Sequence, residues 1–201
     1  MSTVTNLQFR RATTSDAKQI QQLIQSAFRA EDSRPEWTAD VELGVRFRIE
    51  VDTILATINH PDQMILVATN NSNGDDHLVA SVTIAMRSAD YARLSLLAVD
   101  QNYQQGGIGR RVLAYAEDYS RRQWGVTKMG LNALSSRQKL IAWYTRCCYR
   151  RTGEVAPFPR RSLVSWIYQM SCVLWSWRRT CLFLLELVSE PTTFLGARVL
   201  E

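Results

Sequence analysis

Cysteine and histidine are scarce in this chain, and the few present have no metal-binding arrangement. Of 201 residues four are Cys: Cys147 and Cys148 are adjacent, Cys172 and Cys181 lie far off, and no Cys-x-x-Cys occurs. His60 and His77 are the two histidines and stand apart. A metal centre needs three or four such ligands at close spacing, so the sequence predicts no metal cofactor and four free thiols. The start, MSTVTNLQFRRATTSDAK, lacks an apolar core of signal-peptide length. A reducing, cytoplasmic compartment is therefore the expectation, with nuclear entry left open. No dense Lys/Arg run with interleaved aromatics accompanies the net charge of +5, so nucleic acid is not an expected partner. No apolar run reaches the roughly 20 residues of a membrane span, and no internal repeat is visible.

What is present is an ordinary globular composition, 46% hydrophobic and 21% charged, at a length that suits one domain with a full-sized core. Residues 7–11 read as a first strand, and Thr14-Ser15-Asp16 offers helix caps. Ile20, Leu23, Ile24, Ala27 and Phe28 then recur at helical spacing. After a polar loop over 30–39, a second helix carries Phe47, Val51, Ile54, Leu55 and Ile58 and ends before Pro61. Strands over 64–69 and 77–88 flank the turn Asn-Asn-Ser-Asn-Gly-Asp-Asp, and Leu78, Ala80, Val82, Ile84 and Met86 alternate toward one face. A fourth strand (91–99), a helix with Ile108, Val112, Leu113, Ala116 and Tyr119, and a fifth strand (127–134) follow. A helix over 137–146 and an extended segment over 147–153 complete the order β-α-α-β-β-β-α-β-α-β, a layered α/β unit.

The densest signal is LSLLAVDQNYQQGGIGRR, residues 94–111: an apolar strand, a glycine-rich turn and an amphipathic helix. The amides of Gln105, Gly106, Gly107, Ile108 and Gly109 would be unpaired at the helix start, where the macrodipole adds about half a positive charge; this is an anion site. A nucleoside-triphosphate loop would end Gly-Lys-Ser/Thr, but this one ends Gly109-Arg110-Arg111. A dinucleotide fingerprint needs Gly or Ala where Val112 stands, and an acidic residue at the end of a second strand; Glu117 and Asp118 lie on the helix instead.

The run from Val99 to Gly109 resembles the acetyl-CoA motif of the GNAT acyltransferases, Val-x-Pro-x-x-(Arg/Gln)-x-x-Gly-x-(Gly/Ala), with Gln101 in place of the usual Pro. SRQKLIAWYTRCCYRRTGE, residues 136–154, carries a second family pattern through Arg137, Leu140-Ile141, Trp143-Tyr144, Arg146, Tyr149 and Thr152-Gly153; Cys148 replaces the usual Gly before Tyr149. The resemblance spans about residues 7–154, most of the chain. The resemblance implies the GNAT fold, a mixed central sheet with helices on both faces, and acetyl-CoA as co-substrate. It implies that Leu97, Ala98 and Val99 offer strand backbone to the pantetheine arm. The amides of Gln104, Gln105, Gly106, Gly107, Ile108, Gly109 and Arg110 would bind pyrophosphate, with charge from Arg110 or Arg111. Tyr144 would protonate the departing thiolate, as a phenol near pH 10 can.

An aliphatic amine is only about 0.04% neutral at pH 7, so the acceptor must be desolvated or meet a base. The fourth strand, YARLSLLAV, offers no carboxylate and Asp90 lies at its outer edge. A water relay is expected, with Glu31, Asp32 and Asp40 as unranked candidates. The run FRAEDSRPEWT resembles a loop of uncharacterised bacterial and fungal GNAT proteins and makes Arg34 and Trp37 candidate acceptor contacts. The acceptor is a small-molecule or peptide amine whose identity the sequence leaves open. The expected division is an acetyltransferase domain over 1–160 and an atypical apolar segment over 161–201. Within that segment TCLFLLEL (180–187) could supply the last strand, and SLVSWIYQMSCVLWSW reads as a buried helix, a homodimer interface, a membrane-surface helix or a segment not folded as in relatives. A non-catalytic acyl-CoA-binding or interaction module is the rival reading.

Overall fold

The computed structural model of the chain describes residues 7–29, 47–71, 76–104, 106–134, 137–157 and 173–180. A seven-stranded mixed sheet in the order β1-β2-β3-β4-β5-β7-β6 forms the middle layer. Its strands are β1 (Leu7–Arg11), β2 (Gln63–Asn70), β3 (His77–Ser88), β4 (Tyr91–Val99), β5 (Lys128–Leu134), β6 (Arg150–Pro157) and β7 (Val173–Thr180). The helices are α1 (Ala17–Arg29), α2 (Val51–Ile58), α3 (Ile108–Trp124) and α4 (Gln138–Arg146). Among the described strands only β4 and β5 pair in parallel.

Two apolar clusters lie on opposite faces of the sheet. One joins Ile20, Leu23 and Ile24 of α1 and Ile54 and Ile58 of α2 to Ile65, Val67, Leu78 and Ala98. The other joins Ile108, Val112, Leu113 and Ala116 of α3 and Ile141 and Tyr144 of α4 to Ala80, Val82, Ile84, Ala92, Leu94, Met129 and Leu131. Apolar residues at helical spacing thus meet apolar residues at strand spacing on both sides. Leu78 departs from the expected single face. An irregularity in β2–β3 pairing, where Ala68 faces Ala80 but Thr69 faces Leu78, turns Leu78 toward the α1 cluster.

The entry to α1 is locked by Asp16. Its carboxylate accepts from Thr13 N–H at 2.7 Å and makes paired bonds with Arg10 Nη1 and Nη2 at 2.7 and 2.9 Å. Where the described chain resumes at Phe47, it is pinned back onto α1. Arg29 Nε donates to Phe47 O, Gln21 Nε2 donates to Ile49 O, and the Phe28 and Phe47 rings stack at 4.6 Å.

Two C-terminal expectations shift. The extended segment starts at Arg150, because Cys147–Tyr149 close α4. The last described strand, Val173–Thr180, lies largely within the run read as a buried helix or interface; apart from Thr180, residues 180–187 lie outside the described residues. Residues 173–177, VLWSW, are rich in strand-favouring aromatic and β-branched types. Their decisive partner is remote in sequence: β7 pairs antiparallel with β5 on one side and β6 on the other.

Candidate functional site

The sheet opens at one place. β4 and β5 pair only at Tyr91–Lys128, Ala92–Met129 and Arg93–Gly130, then run on to Val99 and Leu134 without pairing each other. The outward side of β5 is taken by β7 along its whole length. On its inner side, β4 presents strand backbone donors and acceptors that β5 does not take up, in a wedge between two strands.

A bulge sits within this wedge. Ser81 faces Ala98 and Thr83 faces Ser95, so β4 carries one residue more than β3 there, and Leu96 takes a left-handed φ of 49°. The extra residue inverts the side-chain alternation. Ala92 and Leu94 belong to the α3 cluster, and so do Leu97 and Val99; Leu96 and Ala98 turn to the α1 side. Leu97, Ala98 and Val99, the three residues singled out from sequence, therefore line the opened edge immediately after the bulge.

Val99 leads into a turn held by its own polar groups. Asp100 N–H donates to Val79 O at 2.9 Å, and its side chain accepts from Asn102 N–H at 2.8 Å. Gln104 Nε2 donates to Val99 O at 3.3 Å, folding that side chain back on the strand end. Gly107 caps α3 at φ 74°, a conformation glycine adopts without strain, and no side chain caps the helix there. The first intrahelical bonds are those of Arg110 and Arg111 N–H to Gly107 O, so Ile108 and Gly109 N–H precede them at the positive end of the helix. Gly109 is where α4 comes close: a Cβ built there would lie 3.6 Å from the Trp143 ring and 3.8 Å from Val99. The two arginines separate. Arg110 lines a groove with Leu113, Ala114, Glu117, Cys147 and Cys148, whereas Arg111 lies over the Phe9 ring at 5.6 Å. Gln105 lies outside the described residues.

α4 carries Tyr144 beside this helix start. The Tyr144 ring meets Trp143 edge-on at 4.8 Å and Tyr149 at 5.7 Å, and the residue is 6% exposed. Burial pushes its phenol well above the ordinary value, with Arg137 opposing weakly. Among the described residues its hydroxyl has no hydrogen-bond partner. The helix ends in a Schellman motif: Tyr149 N–H donates to Tyr144 O at 3.0 Å and Cys148 N–H to Thr145 O at 2.9 Å. Cys148 holds the left-handed position, φ 67°, that usually selects glycine. Tyr149 is fully buried and donates its hydroxyl to Glu117 of α3.

The remaining expectations divide cleanly. Asp90 is paired with Lys128 Nζ at 2.7 Å and Ser88 Oγ at 2.8 Å just before β4, and Lys128 holds its carboxyl below the usual range. Arg34, Trp37, Glu31, Asp32 and Asp40 lie outside the described residues. Sequence reasoning passed over Arg93 and Asn132, which meet across the opening of the wedge: with its amide oxygen turned toward β4, Asn132 accepts from Arg93 Nη2 at 2.8 Å. Nothing in the linear spacing of these residues announces that contact. It depends on the β4–β5 register.

A family model described as the acetyltransferase (GNAT) family matches residues 18–148, more than half of the chain. The chain belongs to the GNAT acetyltransferase family, and it is an N-acetyltransferase by that membership. Solved structures share the fold. Arabidopsis thaliana NAA60 in complex with acetyl-CoA aligns at TM-score 0.64 and 16% identity, covering 88% of this chain and 99% of that one. The ribosomal-protein-S18-alanine N-acetyltransferase of Escherichia coli aligns at TM-score 0.63 and 18% identity, covering 87% and 94%. The spermidine/spermine N-acetyltransferase SpeG of Vibrio cholerae aligns at TM-score 0.59 and 15% identity, covering 89% and 95%. No curated protein matches the sequence. Among the described residues no helix is long and apolar enough to cross a membrane.

Proposed function

We propose that the protein transfers an acetyl group from acetyl-CoA to a primary amine by direct attack within a ternary complex. The observation that carries this reading is the wedge: strand backbone left unpaired by β5 at Leu97–Val99 leads directly to a helix start with no side-chain cap at Gly107. An extended arm bearing amides pairs with such a strand edge, and a pyrophosphate suits the helix N-terminus. The related NAA60 structure with acetyl-CoA supports the same ligand.

In this reading Leu97, Ala98 and Val99 orient the pantetheine arm. The amides from Gln104 through Gln105, Gly106, Gly107, Ile108 and Gly109 to Arg110 hold the pyrophosphate, and Arg110 supplies the nearby charge because Arg111 is engaged with Phe9. The neutral amine attacks the thioester carbonyl, a tetrahedral species forms, and the carbon–sulfur bond breaks. Tyr144 gives its proton to the departing thiolate, for which its raised pKa keeps it supplied at neutral pH. The proton lost by the amine leaves through water, since β4 has no carboxylate. The products are the amide and coenzyme A.

Calorimetric titration with acetyl-CoA, run beside a Gly107→Glu variant, tests this. Glutamate would strain the left-handed cap and set a negative charge at the anion site. Micromolar binding by the wild type that is lost in the variant is the expected result. A folded wild type that binds no acetyl-CoA overturns the reading.

A further inference from the structure

The face of the wedge opposite α3 carries a cation that no described carboxylate neutralises. Arg93 is the last β4 residue paired with β5, and it alternates with Ala92 and Leu94 of the α3 cluster, which places it on the α1 side of the sheet. Asn132 of β5 holds one guanidinium nitrogen at 2.8 Å, and the other end of that amide donates to Leu131 O at 3.2 Å. Asn132 is thereby fixed as an acceptor toward Arg93. Arg10, Arg121, Arg122 and Lys128 each sit within salt-bridge distance of an Asp; Arg93 has no such partner among the described residues. It is half-buried, so its charge is only partly solvated, and no described carboxylate pairs with it.

Its neighbours extend the polar strip toward the bulge. Ser95, two residues along the same face of β4, is exposed, and Thr83 opposite it on β3 is 5% exposed with a hydroxyl that has no partner. The strip leads from Arg93 through Ser95 to Leu96 at the bulge, beside the edge where the thioester would lie. It runs on the side away from the pyrophosphate site at α3, so the anion it awaits is not the coenzyme's. A planar guanidinium with free donors, steadied by a neutral amide, is suited to receive a carboxylate in paired bonds.

We infer that the acceptor is an amino-acid-like amine, its carboxylate received by Arg93 and its amine directed along Ser95 toward the thioester. This rests on the acetyltransferase reading above. Pairing with Arg93 would also neutralise the substrate carboxylate, which otherwise favours the ammonium form of its own amine, and so assist deprotonation where β4 supplies no base. A polyamine would be repelled.

The test is thiol release from acetyl-CoA with three acceptor sets: free α- and ω-amino acids, their carboxamides, and spermidine. Wild type, Arg93→Met and Arg93→Lys are compared, with acetyl-CoA affinity measured calorimetrically for each. The wild type should favour free amino acids over carboxamides by about 10- to 100-fold in kcat/KM, the range of one charged hydrogen-bonding contact. Arg93→Met should erase that preference chiefly through KM and leave acetyl-CoA affinity unchanged, with partial recovery in Arg93→Lys. A wild type that acetylates carboxamides or spermidine as well as amino acids overturns the inference. So does a preference that survives Arg93→Met, or acetyl-CoA binding with no amino acid in the panel used. Failure to bind acetyl-CoA at all overturns the acetyltransferase reading itself, and the two failures are thereby distinguished.

Discussion

Tyr149 donates its hydroxyl to Glu117 Oε1 at 2.9 Å, and this buried bond ties the end of α4 to the middle of α3. The same tyrosine supplies the N–H that closes the Schellman motif on Tyr144 and the ring that packs against the Tyr144 ring at 5.7 Å. One residue thus fixes the backbone and ring of Tyr144 relative to the helix whose start is the proposed pyrophosphate site.

Tyr149→Phe keeps the ring and removes only the hydroxyl, leaving a buried carboxylate one donor short. It should cost about 1–3 kcal/mol of stability in urea or guanidinium unfolding. A loss below a few tenths of a kcal/mol would show that Glu117 is satisfied by other partners.

Cys148→Gly should act in the opposite direction. A side chain at φ 67° costs roughly 1–2 kcal/mol against the same backbone in glycine, partly offset because glycine is freer in the unfolded chain. A net stabilisation of about 1 kcal/mol is expected, read as a higher denaturation midpoint at unchanged slope. Since the Schellman bonds are already made with Cys148 in place, acetyl-CoA affinity should not change.

These positions mark what was legible in the sequence. Strand, turn and helix across 94–111 announce themselves because each is a local pattern: an apolar run, glycines where the backbone must turn or be approached, and a 3.6-residue period. Tyr144 and its helix are legible for the same reason. The bulge at Leu96 is not, because LSLLAV can alternate in either phase and only pairing with β3 decides where the extra residue falls. The Arg93–Asn132 contact requires the register of two strands that are parallel for three residue pairs and then diverge. The strand at Val173–Thr180 is hidden for a related reason: by composition VLWSWRRT is no better a strand than TCLFLLEL, and its place is set by hydrogen bonds to β5, some 45 residues earlier in the chain.

Acid sensitivity should centre on Asp16. Its bonds to Arg10 hold its carboxyl at about 2, against an ordinary 3.8, with burial opposing and the Thr13 N–H assisting. A depressed folded pKa means stability that is fully present above about pH 4 and is lost as pH falls through about 2. Arg10 is partly exposed, so solvent screening limits the contribution to about 1–2 kcal/mol. Asp16→Asn should therefore be less stable than wild type by that amount at pH 6, and the gap should close toward pH 2. A gap independent of pH would mean that the asparagine loses packing or capping rather than the charged pair.

Tyr144 separates an enzyme from a protein that merely binds acyl-CoA. Its ring lies in the α3-side cluster against Trp143 and Tyr149, so Phe in its place keeps the packing and removes the proton donor. If the phenol protonates the leaving thiolate, Tyr144→Phe should lower kcat about 100-fold or more with acetyl-CoA affinity within about twofold of wild type. Burial pushes this phenol above its ordinary value, so the wild type should show no descending limb in kcat attributable to Tyr144 between pH 8 and about 10. Single-turnover rates across that pH range, for wild type and Tyr144→Phe, read both effects together. Equal rates in the two proteins would remove Tyr144 from the chemistry. A wild-type rate that falls with an apparent pKa near 8 to 9, absent in the variant, would place its hydroxyl in a wetter, more charged setting than the core in which it is found.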